Sequence, residues 1–236
     1  MTALLETRAL KKHFGGAHVI NGIDFQIDAG EIRCVIGPNG AGKSTFFKLI
    51  TGEHKPSDGS VYFLGRDMNH VLPHERIRMG MSIKFQIPGV FPDLTVRQHL
   101  QLSLHRAKDD RPENIDELLQ RFLLAQEEHV PARNLSHGKK QWLEIAMAVS
   151  LRPKLLFLDE PVAGMSVEET HATGELIKQL RDDGLTMMVV EHDMTFVKQI
   201  ATRVSVLHGG RLLADGPLDE ILARDDVAEV YLGKKQ

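Results

Sequence analysis

The sequence predicts an α/β protein: a mainly parallel sheet with flanking helices, an antiparallel β patch ahead of it and a helical subdomain inserted within it. Three observations predict this. GPNGAGKS, Gly37 to Ser44, lies between an apolar run and a helical run. KLLFLD, Lys154 to Asp159, is a second apolar run, and it ends in the acid pair Asp159-Glu160. TMMVVE, Thr186 to Glu191, is a third, with His192 at its end. Short apolar runs bounded by turn signals and separated by helical stretches read as buried parallel strands.

The elements follow in order. Residues 4–36 read as short strands joined by turns, broken first at Phe14-Gly15-Gly16. Ile23, Phe25 and Ile27 alternate with Asp24 and Gln26, the pattern of a half-buried strand. Glu31 to Ile36 is the strand that enters the glycine-rich stretch, and Ser44 to Ile50 is the helix that leaves it. Gly37, Gly40 and Gly42 carry no Cβ, so the backbone can turn tightly and bring its N–H groups against an anion. The helix N-terminus adds to that field. Lys43 supplies a charge for β- and γ-phosphates and Ser44 a hydroxyl for Mg²⁺. The loop makes the core a P-loop NTPase core, with Gly37, Pro38, Asn39, Gly40, Ala41, Gly42, Lys43, Ser44 and Thr45 as its nucleotide-contacting residues.

Beyond it, Val61 to Leu64 and Met81 to Phe85 read as strands, and 65–80 as polar chain with two turns. IPGVFPDLTV, with Pro88, Gly89 and Pro92, reads as a hinge loop. Helices are expected over Val96 to Arg106 and Pro112 to Glu128. The second carries a stripe of Ile115, Leu118, Leu119, Phe122 and Leu123. Trp142, Ile145, Ala146 and Val149 form the face of another helix, whose start, Ser136-His137-Gly138, offers N–H groups to an anion. Ser166 to Glu169 is a capping box opening a helix to about Asp183. Asp193 caps a further helix. Arg203 to His208 and Arg211 to Ala214 form a hairpin around Gly209-Gly210, and Pro217 opens a last helix before a frayed tail. One domain over 1–236 is expected, with 1–86 and 150–236 as nucleotide-binding core and 87–149 as helical subdomain.

Several classes are excluded by composition. The 236 residues carry a net charge of −3, and no basic excess argues for nucleic acid. No apolar run approaches the ~18 residues of a membrane span. MTALLETRALKK lacks a signal-peptide core, so a cytoplasmic protein is expected. The single cysteine, Cys34, reads as core filler.

The chemistry these residues suit is ATP hydrolysis. Asp159, at a strand end, suits Mg²⁺, and Glu160, one residue on and pointing differently, suits polarising the attacking water. His192 can bond a γ-phosphate. Gln86, at the junction of core and hinge, can sense metal and water. Phe14 can stack on a base or pack in its turn.

GPNGAGKST, Gln86, LSHGKKQ, LLFLDEP and the His of VVEHD, in that order, resemble the ATP-binding-cassette (ABC) ATPases over essentially the whole chain. Finer strings, HGKKQWLEI and PVAGM above all, resemble ATPases of branched-chain amino-acid and urea or amide importers, the urea type most. The resemblance implies a head-to-tail dimer with a second ABC ATPase subunit. In it, ATP is held between one chain's phosphate loop and Ser136, His137 and Gly138 of the facing chain. It implies Phe14 on the adenine, two permeases, a periplasmic solute-binding protein and a place on the inner face of the membrane. The family's signature usually has Gly and Gln where this chain has His137 and Lys139, and often Asp where it has Ser166. Lys139 is expected to bring positive charge near the facing nucleotide. A soluble ABC ATPase of DNA repair or translation is the alternative; such proteins carry two cassettes or long insertions, absent here. Ile87, Val90 and Phe91 are candidates to line a docking groove.

Overall fold

The computed structural model describes residues 3–84, 89–106 and 114–232. The chain opens with two long strands, β1 (Leu5–Phe14) and β2 (Ala17–Ile27), paired antiparallel, then β3 (Ile32–Ile36), α1 (Lys43–Thr51), β4 (Asp58–Phe63) and β5 (Arg66–Asp67). Next come α2 (Pro73–Arg78), β6 (Met81–Lys84), α3 (Val96–Arg106), α4 (Ile115–Arg121) and α5 (His137–Val149). The remainder is β7 (Leu155–Asp159), α6 (Val167–Asp182), β8 (Thr186–Val190), α7 (Met194–Ile200), β9 (Arg203–His208), β10 (Arg211–Gly216), α8 (Leu218–Leu222) and α9 (Asp225–Leu232).

Two sheets result. One is antiparallel, ordered β2-β1-β4-β5. The other runs β10-β9-β3-β8-β7-β6 and is parallel except for the β9–β10 hairpin. Its central strands are buried on both faces, and their residues alternate between two cores. Cys34, Ile36, Leu156, Leu158, Met187 and Val189 join the core under α5, α6 and α7. Val35, Leu155, Phe157, Met188 and Val190 join the core shared with α1 and the antiparallel sheet. The period of two in a strand therefore fills both layers. Helix α1 lies between the sheets. Phe46 meets Phe25 edge-on at 5.1 Å, and its neighbour Phe47 meets Phe157 at 5.7 Å. Successive helical residues point about 100° apart, which lets one helix serve both sides.

Several expectations need correction. The 65–80 segment is not all turn: it holds β5 and the short α2. The helix expected over Pro112 to Glu128 ends at Arg121; Leu123 is left-handed (φ 55°) and 57% exposed, so it leaves the stripe. Leu124 N–H then bonds Leu119 carbonyl at 2.8 Å, closing the helix without a glycine. The β patch is longer than read, because β2 starts at Ala17 and passes through Gly22 (φ 83°). The last helix is two, α8 and α9. The caps hold: Ser166 and Glu169 form a reciprocal box, and Asp193 Oδ1 accepts from Thr195 and Phe196 N–H. Phe85 and Gln86, and with them the end of the predicted strand, lie outside the described residues.

Helix α2 owes its place to Arg76, which is 2% exposed. Its guanidinium donates to the carbonyls of Val71 (3.1 Å), Leu49 (3.2 Å), Ile50 and Met68. Two of these carbonyls, Leu49 and Ile50, belong to the last turn of α1, where acceptors lack intrahelical partners. Arg76→Met keeps the apolar stem and orphans all four. The expected loss is about 3 kcal/mol, which lowers the melting temperature by roughly 6–12 °C. A thermal-melting shift under about 2 °C contradicts this role.

Candidate active site

Sheet register brings the site together. Val35 pairs with Val190 and Val190 with Asp159, so β3, β8 and β7 end on one edge. Gly37, the Asp159-Glu160 pair and Glu191-His192 follow directly from those ends. Ligands of parallel α/β sheets bind at this carboxyl edge. Strand β6 ends there too, with Lys84 opposite Leu158; Gln86, two residues on, lies outside the described residues.

The glycine loop is pressed between two neighbours. Gly37 has φ 155°, and a Cβ there would strike the Leu207 carbonyl of β9. Gly42 has φ 100°, and its Cβ would lie 2.8 Å from Ile20 Cδ1 and 3.0 Å from the Val19 carbonyl of β2. Only glycine satisfies both conformation and space. Gly40 needs glycine for its φ of 79° alone, since nothing crowds it. Gly42 is the N-cap of α1, with no side-chain cap and no acid in the first turn. The helix therefore presents its N-terminal N–H groups and positive dipole end with no carboxylate competing. Lys43 Nζ folds back onto the Gly37 carbonyl (2.7 Å) and the Pro38 carbonyl (3.2 Å). Burial holds its ammonium below the ordinary lysine range, while Glu160 and Asp159 oppose that shift. Ser44 is exposed at the first turn, Thr45 half-buried.

Asp159 is half-buried, and its carboxyl is raised by burial and then by Glu160. Glu160 is left-handed (φ 45°), rare for a residue with a Cβ. His192 Nδ1 stands 3.5 Å from Glu160 Oε1 and 3.8 Å from Glu191 Oε2, and the ring is 64% exposed. Phe14 ends β1, 45% exposed, with the His54 ring edge-on at 5.3 Å and Lys12 Nζ 4.8 Å over its face.

Three residues packed beneath this edge escape a reading of the sequence. Lys84 is 1% exposed and reaches toward the carbonyls of Asp159 (3.4 Å) and Glu160 (3.5 Å); burial pushes it down to about 8. Glu144 in α5 accepts from Gly89 N–H and faces Lys84 electrostatically. Glu191, 1% exposed, accepts from the N–H groups of His192 and Asp193 and so fixes the turn that carries His192. A lysine inside a strand buried on both faces was the one available signal, at Lys84.

At the start of α5, Ser136 caps the helix by accepting from Lys139 N–H (3.2 Å). Lys139 is paired with Glu127 of its own chain, so its charge is partly spent there. Gly138 is buried against the carboxylate of Glu169, which a Cβ there would displace. His137 Nε2 lies 2.9 Å from the Ala163 carbonyl.

A glycine cradle, a lysine within it and a carboxylate pair two strands away on the same sheet edge define a nucleotide-binding phosphate-loop protein. Residues 20–163 match the ABC transporter family. The chain belongs to that family and is an ABC ATPase. It is 34% identical over 250 residues to the high-affinity branched-chain amino acid transport ATP-binding protein LivG of Escherichia coli K12, covering 98% of both chains. It is 32% identical over 245 residues to a probable LivG of Archaeoglobus fulgidus, covering 98% of this chain and 95% of that one. Among solved structures, an ATP-binding cassette of an ABC transporter in its ADP conformation aligns with a TM-score of 0.86 at 28% identity. That alignment covers 99% of this chain and 100% of the other.

Proposed function

We propose that this chain is the ATP-hydrolysing subunit of an ABC importer, acting within a head-to-tail dimer beneath two integral-membrane permeases. The observation that carries the reading is the meeting, at one sheet edge, of the glycine cradle with Lys43, the Asp159-Glu160 pair and His192. Residues Gly37 to Thr45 bind the phosphates of ATP. Lys43 exchanges its two carbonyl partners for β- and γ-phosphate oxygens, which as anions make stronger hydrogen bonds. Ser44, Asp159 and Gln86 would hold Mg²⁺, whose charge, when bound, offsets that of the phosphates. An exposed hydroxyl and a carboxylate are oxygen donors that suit such a hard cation.

Glu160 polarises the attacking water, and His192 bonds the γ-phosphate and holds the Glu160 carboxylate to one side. Phe14 stacks on adenine. Ser136, His137 and Gly138 of the facing chain complete the site at the start of their helix.

No helix among the described residues is long and apolar enough to cross a membrane. We place the chain on the cytoplasmic face of the membrane, held by the permeases, with a periplasmic solute-binding protein on the far side. Its relatives are named for branched-chain amino-acid transport, and HGKKQWLEI and PVAGM resemble the urea type. The proposed solute class is branched-chain amino acids, urea or short amides.

The permeases dock on the inserted helices. Of the loop residues proposed to line the groove, Val90 packs against the core, Ile87 lies outside the described residues, and Phe91 is 54% exposed. Phe91 N–H is held by His99 Nε2 at 2.9 Å, so the backbone is anchored while the ring faces outward. Phe91→Asp is expected to leave ATP affinity unchanged and to abolish co-purification with the permeases and solute-stimulated ATPase. Retention of both would move docking elsewhere.

A further inference from the structure

The helix that starts at Ser136 and the turn that follows Glu160 are joined by one side chain. Helix α5 carries His137 as its first residue. Its Nε2 stands 2.9 Å from the carbonyl of Ala163, 26 residues on. Ala163 N–H in turn donates to the Glu160 carbonyl at 3.3 Å. Two hydrogen bonds therefore connect the His137 imidazole to the backbone of the acid. The contact fits tightly: Gly164 (φ 73°) passes so close that a Cβ on it would lie 3.2 Å from the ring's Cδ2. Gln141, one turn along α5, has its amide nitrogen 3.1 Å from the same Nε2. Donation to a carbonyl requires the hydrogen on Nε2, so Gln141 must present its amide oxygen to the ring instead. Lower on the same helix, Trp142 Nε1–H donates to Thr173 Oγ1 of α6 at 2.8 Å, which keeps α5 aligned against the segment the turn leads into.

Glu160 needs such support. Its left-handed backbone persists only where surrounding contacts over-determine it. The Glu160 N–H is fixed to the Val190 carbonyl at 3.0 Å, and Ser166 closes the far end of the turn by capping α6. Between those anchors Lys84 reaches the Glu160 carbonyl from within the core at 3.5 Å, and the His137 ring holds the turn from outside.

We infer that His137 is a positioning residue. Its imidazole seats the turn from Pro161 to Ser166, and through it the Glu160 carboxylate, so that the start of α5 and the hydrolytic carboxylate of the same chain move together. The inference rests on the reading of Glu160 as the water-activating carboxylate and of Ser136 as a contact to the facing chain's ATP. Hydrolysis at one nucleotide is then tied, within one chain, to occupancy of the other.

The test uses the full-length chain in its purified transporter complex, with ATP turnover followed against ATP concentration. His137→Ala keeps the backbone N–H at the helix start and removes the ring donor. It should lower kcat roughly 10-fold or more, the scale of a catalytic group slightly misplaced, change KM for ATP less than 2-fold, and reduce the cooperativity of turnover. His137→Gln places an amide N–H near the position of Nε2 and should recover most of the lost kcat. If His137→Ala melts well below the parent, His137→Leu, which fills the ring's space without a donor, takes its place and must show the loss of kcat that His137→Gln recovers. Parental kcat in His137→Ala overturns the inference. So does a matched rise in KM, which marks a lost nucleotide contact, and so does failure of Gln to restore turnover. Parental turnover in Glu160→Gln overturns the reading beneath it, whereas an inert Glu160→Gln beside an unaffected His137→Ala overturns the inference alone.

Discussion

Glu160→Gln is expected to keep Mg–ATP binding and to lose hydrolysis by 10²-fold or more, the scale of removing a general base. The substitution preserves the shape of the side chain and asks nothing new of the left-handed backbone at φ 45°. What disappears is the negative, proton-accepting oxygen 3.5 Å from His192 Nδ1. The phosphate contacts from Gly37 to Thr45 remain. One carboxylate fewer beside Lys43 also removes a competitor for that ammonium, so ATP affinity should hold or rise. Phosphate release and calorimetric ATP titration give the two numbers. Near-parental hydrolysis would move the water-activating role to another residue.

Lys43→Ala is expected to weaken ATP binding itself by roughly 10- to 100-fold, since charge-assisted hydrogen bonds contribute about 1.5–3 kcal/mol. The fold should survive. Gly37 is fixed against Leu207 and Gly42 against Val19 and Ile20, independently of the lysine. Ala41 and Gly210 also remain joined, through the Gly210 N–H to Ala41 carbonyl bond at 3.1 Å. Unchanged affinity by calorimetry, with an unchanged melting temperature, would mean that phosphates are not bound in this loop.

Much of this site is legible in the sequence because its parts are local. The cradle needs glycines at fixed offsets, and the structure shows why: two of them meet neighbouring strands where no Cβ fits. Strand ends deliver Asp159, Glu160 and His192 because apolar runs announce buried strands and the runs stop at those residues. The Ser166–Glu169 box and the Asp193 cap are also short-range patterns. What escapes is set by contacts far apart in sequence. Helix α2 has Leu72 in its N-cap position, with no capping oxygen; Glu75 supplies only half of a capping box, and Arg76 holds the helix through distant carbonyls. Leu123 continues an apolar stripe in sequence but takes a left-handed conformation that ends the helix. Lys139 reads as a free charge near the signature, and its partner Glu127 belongs to a 3₁₀ turn inside the expected long helix. The link from His137 to Ala163 spans 26 residues and follows no period.

The same contacts bear on motion. Trp142–Thr173 and His137–Ala163 bind α5 to α6 and to the Glu160 turn. Any rotation of the inserted helices about the loop at Gly89 and Pro92 must carry that turn with it or break those bonds. A hinge of this kind would transmit nucleotide state to a partner docked at Phe91.

The most direct test of the whole reading is phosphate release from ATP by the complex purified from membranes through this chain and reconstituted in vesicles. The expected result is release that rises several-fold when the solute-loaded binding protein is added outside, and that disappears in the complex carrying Glu160→Gln. Release indifferent to the loaded binding protein, or undiminished by Glu160→Gln, would contradict it.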